Sequence, residues 1–479
     1  MEQIFNFISE HNYAIAASGR ALLSAVLTIH ILLYKEDVKA SIGWIALVVF
    51  SPVVGGIFYI ILGINRVRRK AARLKKPSPP PEIKNLKEKF SKIKEGLGAR
   101  AMQLLRLGFK IHPQLMEGGN EIIPLINGDA AYPQMCSAIK NAKHEVLIAS
   151  YIFKADKAGL MFVDALKEAA GKGVKVYVLI DDVGSPRGFK DMRKSLRGVA
   201  NVKLGVFLPT LVALPFLNLR NHRKILVVDG GRAFFGGMNI HEENLIKNNP
   251  PFPMRDITFS IRGPAVKQIA KLFEDDWNFT VKENLKVYES PEPFTGGNSY
   301  CRLVPDGPDE NYGKIELLTL GAIKTAADSL SIITPYFLPE ETILKSLEIA
   351  AMRGVKIDLI LPEKSDIWGM DYATASLFKR LLYHGINIYL TPPPFDHSKL
   401  FIADGLWCAF GSANWDERSF KLNFEANIEC VSKSFADELS GYFNRKRAKA
   451  KKLSPEDVHA YGLLKRLRNN AFRLLTPYY

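Results

Sequence analysis

The chain is expected to fold as a duplicated α/β protein, two mixed sheets flanked by helices, behind an N-terminal transmembrane helical hairpin. Three observations carry this expectation: two apolar runs at the start of the chain, a βαβ pattern that occurs twice, and a polar motif at matching points of the two copies.

Ser41 to Ile64 is an uncharged run of 24 residues. As a helix it is about 36 Å long at roughly 1.5 Å per residue, enough to span a bilayer with some tilt. Before it, Tyr13 to Tyr34 is apolar apart from Arg20 and His30. That is a weaker span, with Arg20 near enough to one end to reach the interface. A signal peptide is the competing reading of the first run. The second run follows after only a few polar residues and no small-residue cleavage site stands out, which favours a retained hairpin. Arg66, Arg68, Arg69, Lys70, Arg73, Lys75 and Lys76 follow the second run, whereas the connecting loop holds only Lys35, Glu36, Asp37 and Lys39. The positive-inside rule then puts the amino terminus and the chain after Ile64 in the cytoplasm. The same basic run suits anionic lipid heads.

Pro77 to Pro81 (PSPPP) reads as a stiff linker, and a basic, helix-compatible stretch follows it. From Glu145 the chain reads EVLIASYIF and then LMFVDALKEAAGKGVKVYVLIDD; from Leu330 it reads LSIITPYFL and then TILKSLEIAAMRGVKIDLILPE. Each copy is a short apolar strand ending in an aromatic turn (Tyr151 or Tyr336), an amphipathic helix, a Gly-Val-Lys turn and a β-branched strand. That is a βαβ unit, whose crossover favours parallel strands covered by helices. Duplication implies a pseudo-twofold axis, and a site between the halves draws one set of groups from each. The expected segments are 1–76 for the hairpin and basic run, 77–110 for the linker and basic helix, and 111–284 and 285–479 for the two α/β halves.

A formal charge of +16 calls for an anionic partner: nucleic acid, anionic lipid or a phosphorylated substrate. The membrane spans and the apolar segments near the motif argue against nucleic acid, and no aromatic-plus-basic strand pattern for bases is evident. Cys136, Cys301, Cys408 and Cys430 are scattered, which speaks against a disulfide framework or a structural zinc site and for a reducing compartment.

The motif with chemistry is His222-Arg-Lys224-Ile-Leu-Val-Val-Asp229, followed by Gly236-Gly237-Met-Asn239. It returns as His397-Ser-Lys399-Leu-Phe-Ile-Ala-Asp404, followed by Gly411-Ser412-Ala-Asn414. Alternate side chains of a strand share a face, so each His and Lys pair points the same way. The apolar tetrad buries the strand, Asp-Gly turns it, and a second apolar strand returns the small residues and the Asn toward the His. An imidazole, an ammonium and an amide then converge, which suits a phosphodiester oxygen. One such motif is weak; two at matching points of an internal repeat are specific.

These residues resemble the HKD-motif phospholipase D superfamily and, within it, the bacterial cardiolipin synthases. The resemblance extends over nearly the whole chain. It includes Trp44, Pro52, Gly55, Tyr59 and Gly63 in the hairpin, LNLRNHRK, RGPAV, the Asp275–Trp277 triplet, TPYFLPEE, GSANWDERSFKLNFE and the terminal LLTPYY. Met254, the apolar stretch Gly205 to Leu219 and the triple proline Pro392 to Pro394 depart from the family pattern without touching the motif.

The resemblance implies phosphatidyl transfer between two phosphatidylglycerol molecules through a phosphohistidine, with no metal and no cofactor, at a bacterial inner membrane. It favours His222 as nucleophile and His397 as acid/base. Lys224, Lys399, Asn239, Asn414, Ser412 and Gly237 are then expected around the phosphoryl oxygens. Glu425 matches the carboxylate that orients the motif histidine, and alignment of the halves makes Asp256 its counterpart for His222. Asp229 and Asp404 count with the motif's catalytic set and are expected to act structurally, pinning the turn near each site. A phospholipase D hydrolase or a phosphatidylserine synthase would use the same residues with another acceptor. Two intact motifs speak against an inactive lipid-binding scaffold. The apolar run Val206 to Leu217 reads either as a buried loop and strand or as a lip in the bilayer. The basic segment Arg445 to Arg473 reads as an interfacial helix or a packed terminal one.

Overall fold

A computed structural model describes residues 2–35, 37–63, 99–184, 194–208, 219–292, 294 and 296–476. The basic run 66–76, the proline linker 77–81 and most of the apolar run 206–217 lie outside the described residues. The chain forms two compact units, Met1–Lys70 and Ala71–Tyr479.

In the smaller unit the two apolar runs form a helical hairpin, with one correction to the sequence reading. The first run is one long helix, Glu2–Tyr34, whereas the second is broken into Val38–Phe50, Pro52–Phe58 and a π-helical turn Tyr59–Gly63. Pro52 has no N–H to donate and its ring crowds the preceding turn, so the helix stops at Ser51 and restarts. Among the described residues, only Ala16–Tyr34 is by itself long and apolar enough to cross a membrane. The hairpin closes on Leu27, Ile31, Val48 and Tyr59, all buried, and His30 Nδ1 is hydrogen-bonded to the Tyr59 hydroxyl at 2.9 Å. Gly56 makes this approach possible, since a Cβ there would come within 2.9 Å of Leu27.

The strands of the larger unit are, in its first half, β1 (Glu117–Ile126), β2 (Glu145–Ser150), β3 (Lys175–Asp181), β4 (Val202–Phe207), β5 (Arg220–Asn221), β6 (Lys224–Val228), β7 (Arg232–Gly236), β8 (Met254–Arg255) and β9 (Ile257–Arg262). In its second half they are β10 (Ser299–Asp306), β11 (Ser329–Ile333), β12 (Phe337–Leu338), β13 (Lys356–Pro362), β14 (Asn387–Thr391), β15 (Phe395–Asp396), β16 (Leu400–Ala403), β17 (Trp407–Gly411), β18 (Trp415–Asp416), β19 (Asn423–Val431) and β20 (Lys451–Lys452). One continuous sheet runs β4-β3-β2-β6-β7-β9-β1 and then, across the β1·β10 pair, β10-β19-β17-β16-β11-β13-β14-β20. Apart from the edge strand β20, the order reads the same outward from the joint on both sides, which is the expected duplication.

In each half the βαβ unit has the expected parallel pair: β2 with β3 around helix Lys157–Gly171, and β11 with β13 around helix Glu341–Met352. The motif strands fold back as antiparallel hairpins, β6 on β7 and β16 on β17. Buried Phe153, Phe162 and Phe234 pack in the first core, and Phe337, Phe401 and Trp415 in the second.

Two segments behave differently from the sequence reading. Helix Ala99–Ile111, expected to belong to the linker, contributes Leu104 and Leu105 to the second core, and its Leu107 lies against Gly321, where a Cβ would collide with it. Cys301, Cys430 and Cys408, far apart in the chain, are in register on β10, β19 and β17 as buried free thiols.

Asp229 and Asp404 end β6 and β16 with left-handed backbone (φ 49° and 50°), each followed by a left-handed Gly. The Asp229 carboxylate accepts the backbone N–H groups of Lys143, His144 and Glu145 at 2.8, 2.7 and 2.8 Å. The Asp404 carboxylate does the same for Ala327, Asp328 and Ser329. Each pins the entry to its βαβ unit, at the end of the motif strand opposite its histidine. This corrects their expected placement near the site: both lie at the far end of the motif strand from its histidine. Asp229→Ala is accordingly expected to cost about 2 kcal/mol by orphaning these donors. A lowered thermal melting temperature with near-normal turnover of the folded fraction is the outcome to look for; lost turnover at unchanged melting would contradict it.

Candidate active site

His222 and His397 lie where each chain segment crosses to the other half. β5 pairs in parallel with the start of β19, and the His222 N–H donates to the Phe424 carbonyl at 2.9 Å. β15 pairs in parallel with β8, and the His397 N–H donates to the Arg255 carbonyl at 2.7 Å. The residue after each acceptor is a carboxylate. Glu425 therefore meets His222 Nδ1 at 2.9 and 3.0 Å, and Asp256 meets His397 Nδ1 at 2.8 Å.

This corrects the expected pairing of Asp256 with His222. Each imidazole takes its carboxylate from the other half, because the bridging strand pairs and not the order of the chain set the neighbours. With Nδ1–H donated to a carboxylate, Nε2 carries the lone pair toward the reacting space.

Lys224 and Lys399 follow the alternation of the strand. Their ammonium groups donate to the carbonyls of His222 and His397 at 2.6 and 2.7 Å, and Lys399 Nζ also lies 3.1 Å from His397 Nε2. Gly237 lies against Lys399, and a Cβ there would stand 3.2 Å from its Cδ, which joins a residue of the first motif to the second.

Asn239 turns its amide oxygen to the Ile152 N–H at 3.1 Å. Asn414 donates to Ser419 Oγ at 3.3 Å, and its own buried amide oxygen has no hydrogen-bond partner among the described residues. Ser412, expected to face substrate, instead donates its hydroxyl to Glu425 and accepts the Ala426 N–H at 3.0 Å. It holds the carboxylate that holds the histidine.

Both imidazoles are buried, and burial decides their charge. It pushes His222 down to about 4 against the pull of Glu425, with Lys224 and Lys399 adding to the depression. It pushes His397 down to about 4 as well, aided by Lys399 and Lys224 and opposed by Asp256. Each histidine thus feels the lysine of the opposite half, so the two motifs share one electrostatic space. Burial lowers Lys399 to about 8 and Lys224 well below the ordinary lysine range. Burial would raise Glu425, but His222, Lys224 and Ser412 hold it below the usual carboxylate range. The site therefore rests with neutral imidazoles beside two lysines whose charged form burial disfavours.

Several contributors were missed in the sequence. Tyr151 packs edge-on to His222 with ring centroids 5.1 Å apart, and Tyr336 to His397 at 6.2 Å. Their aromatic turns were visible at matching points of the repeat and were the available signal. Arg223, inside the first motif, is fully buried; it bonds the Glu425 and Asp306 carbonyls at 2.9 Å each and pairs with Asp276 at 2.5 Å. In the second half Ser398 stands at that position, and Lys446 supplies the cation, pairing with Asp396 and reaching Ser398 Oγ at 3.3 Å.

A cavity of about 360 Å³ opens elsewhere, lined by Met370, Tyr372, Lys451, Tyr461, Lys465 and Arg468 among others, and it includes no motif residue. Among the described residues no group of three or more His, Cys, Asp or Glu side chains is placed to hold a metal ion.

A duplicated sheet with an oriented His and a Lys from each half defines a phospholipase D-like protein with both copies of its motif on one chain. Comparison with known proteins narrows the class. Residues 135–277 and 319–447 match the family described as cardiolipin synthase, PLD-like domain, and residues 22–63 match the phospholipase D-nuclease N-terminal family. The cardiolipin synthase of Geobacillus kaustophilus is 32% identical over 464 residues, covering 95% of this chain and 92% of the relative. Cardiolipin synthase A of Pseudomonas fluorescens is 32% identical over 480 residues, covering 98% and 99%. The solved phosphatidylserine synthase of Haemophilus influenzae is 16% identical, with a TM-score of 0.55 over 74% of this chain and 94% of its own, a likeness of fold. The chain belongs to the cardiolipin synthase family of phosphatidyltransferases.

The neutral resting histidines have a measurable consequence. A phosphodiester anion entering between Lys224 and Lys399 raises the imidazole pKa values from about 4, so binding near neutral pH takes up a proton. Calorimetric heats of binding a short-chain phosphodiester lipid are expected to vary with the ionisation enthalpy of the buffer. Equal heats in all buffers would show that no proton is taken up.

Proposed function

We propose that the chain joins two phosphatidylglycerol molecules, releasing glycerol and leaving cardiolipin. The observation that carries this reading is the pair of crossed His–carboxylate couples with a lysine beside each, in a chain of this family. His222 Nε2 attacks the donor phosphorus and the bond to the leaving glycerol breaks. His397, protonated as the anion binds, gives its proton to the departing glycerol oxygen. It then takes the proton of the acceptor hydroxyl as that oxygen displaces His222 from phosphorus.

The assignment of roles is supported by Lys399, which engages His397 Nε2 at 3.1 Å, while among the described residues no such bond engages His222 Nε2. Lys224, Lys399 and the Asn239 and Asn414 amides stabilise charge on the phosphoryl oxygens. Glu425 and Asp256 fix the tautomers and stabilise the imidazolium forms.

The reading extends to a bacterial inner membrane, a hairpin that crosses it twice, catalytic halves in the cytoplasm, and anionic lipid rather than nucleic acid as the partner. The terminal helix Leu463–Arg473 supports a second membrane contact. Leu463, Leu464 and Leu467 are exposed beside Lys465, Arg466 and Arg468, and exposed Trp368 stacks edge-on with Phe472 of the same helix. Leucines enter the acyl boundary while the cations meet anionic heads.

Purified protein in phosphatidylglycerol vesicles is expected to form cardiolipin and glycerol, with loss of about a thousandfold or more in His222→Ala and His397→Ala. Phosphatidic acid as the sole product would make the enzyme a hydrolase. Leu464→Glu with Leu467→Glu is expected to slow turnover on long-chain vesicles several-fold, about the effect of weakened interfacial docking. Turnover of dispersed short-chain phosphatidylglycerol should be spared; equal slowing on both would remove the membrane role.

A further inference from the structure

The cavity beside the terminal helix serves no step of the reaction, and both signs of charge line it. Pro335 after β11 and Leu361 and Pro362 at the end of β13 form part of its lining. Helix Met370–Ala375 supplies a second part. Helix Leu463–Arg473 supplies a third, with Lys465 and Arg468 one turn apart on one face. The volume, about 360 Å³, falls in the range of small-ligand clefts, about 300–1,000 Å³.

The cations are Lys451, Lys465 and Arg468, and the carboxylates are Glu363, Asp371 and Asp457. Lys451 and Asp457 pair with each other at 3.0 Å, and Asp457 also accepts the Ser454 N–H at 2.9 Å. That pair is satisfied. Lys465 lies 3.5 Å over the Tyr461 ring and Arg468 lies 3.8 Å over the Tyr372 ring, so half-buried rings of the lining hold both cations at the cavity. Arg468 also donates to Asn469 Oδ1 at 3.1 Å. Among the described residues no ion pair engages Lys465, Arg468, Glu363 or Asp371. Two charges of each sign thus line one cavity without joining.

A ligand with a single charge is drawn by one of these pairs and repelled by the other. A ligand that carries both signs is attracted by all four. The helix that lines the cavity also exposes Leu463, Leu464 and Leu467, and exposed Trp368 packs edge-on against its Phe472. Such a rim suits acyl chains. The amine is specified as well. A primary ammonium brings three N–H donors to the carboxylates. A quaternary ammonium is recognised by open aromatic faces, and the Tyr461 and Tyr372 faces already carry the protein's own cations.

We propose that this cavity binds the headgroup of a zwitterionic phospholipid with a primary amine. Its phosphate lies on Lys465 and Arg468 and its ammonium on Glu363 and Asp371. No bond is made or broken there. The bound lipid fastens the terminal helix to the bilayer, so the inference rests on the membrane contact read above for that helix.

The test uses dispersed short-chain lipid, which needs no bilayer, so its result is independent of the vesicle comparison for the leucine variants. Full-length protein carrying His222→Ala, so that no lipid is consumed, is solubilised in detergent. Binding of dihexanoyl-phosphatidylethanolamine is followed by native mass spectrometry. The phosphatidylglycerol and phosphatidylcholine of the same chain length and inorganic phosphate are compared with it. Glu363→Gln with Asp371→Asn is expected to weaken phosphatidylethanolamine binding by about tenfold, the size of a lost charge-assisted contact, and to spare phosphatidylglycerol. Lys465→Gln with Arg468→Gln is expected to weaken it by a similar factor, whereas Lys465→Arg retains it. Lipid in the active site touches none of these side chains, so the variants report the cavity. Phosphatidylethanolamine binding unchanged in both double variants overturns the site. Phosphatidylcholine binding as tightly as phosphatidylethanolamine also overturns it, since the amine is then unread. So does an acid pair without effect while the cation pair weakens both other lipids alike, or inorganic phosphate binding as tightly, since either marks a plain phosphate site.

Discussion

Each catalytic histidine is held by a carboxylate from the other half, and much of the site follows from that exchange. Neither half is complete alone: His222 needs Glu425 and His397 needs Asp256. The exchange exists because two short parallel strand pairs, β5 with β19 and β15 with β8, carry the backbone across the joint in the same way. The sheet supports it from below through the β1·β10 pair, on which the order of strands reverses.

Burial then sets the chemistry. Water-excluded imidazoles stay neutral, and burial disfavours the charged form of the lysines beside them. In the proposed reaction a neutral nucleophile attacks the phosphodiester and the anion favours protonation of the second histidine. Arg223 and Lys446, different residues at different chain positions, anchor the two motif segments with equivalent buried cations. The duplication has preserved the electrostatics while changing the residues that provide them.

The two halves nevertheless differ beside their histidines. Each histidine sees both lysines, one carboxylate and one tyrosine. The flanks depart from this symmetry: Arg220 stands two residues before His222 and Phe395 two residues before His397. The apolar helices of the smaller unit fit a membrane-associated enzyme whose substrates are phospholipids.

Periodicity and repetition, readable in the chain itself, determined most of this protein. Alternation put His222 with Lys224 and His397 with Lys399, the βαβ patterns announced the parallel pairs, and the repeat announced one site from two halves. Even the broken second helix had its cause in view at Pro52. These are short-range consequences of side-chain geometry and backbone sterics, so a linear reading captures them. Tertiary structure decided the rest. Glu425 lies 203 residues from its histidine and Asp256 lies 141 from its own, and only strand pairing across the joint chose those partners. The same long-range packing turned Ser412 onto Glu425 and drew helix Ala99–Ile111 into the second core. Register between distant strands comes from the burial of whole faces, and no local stretch of sequence contains it.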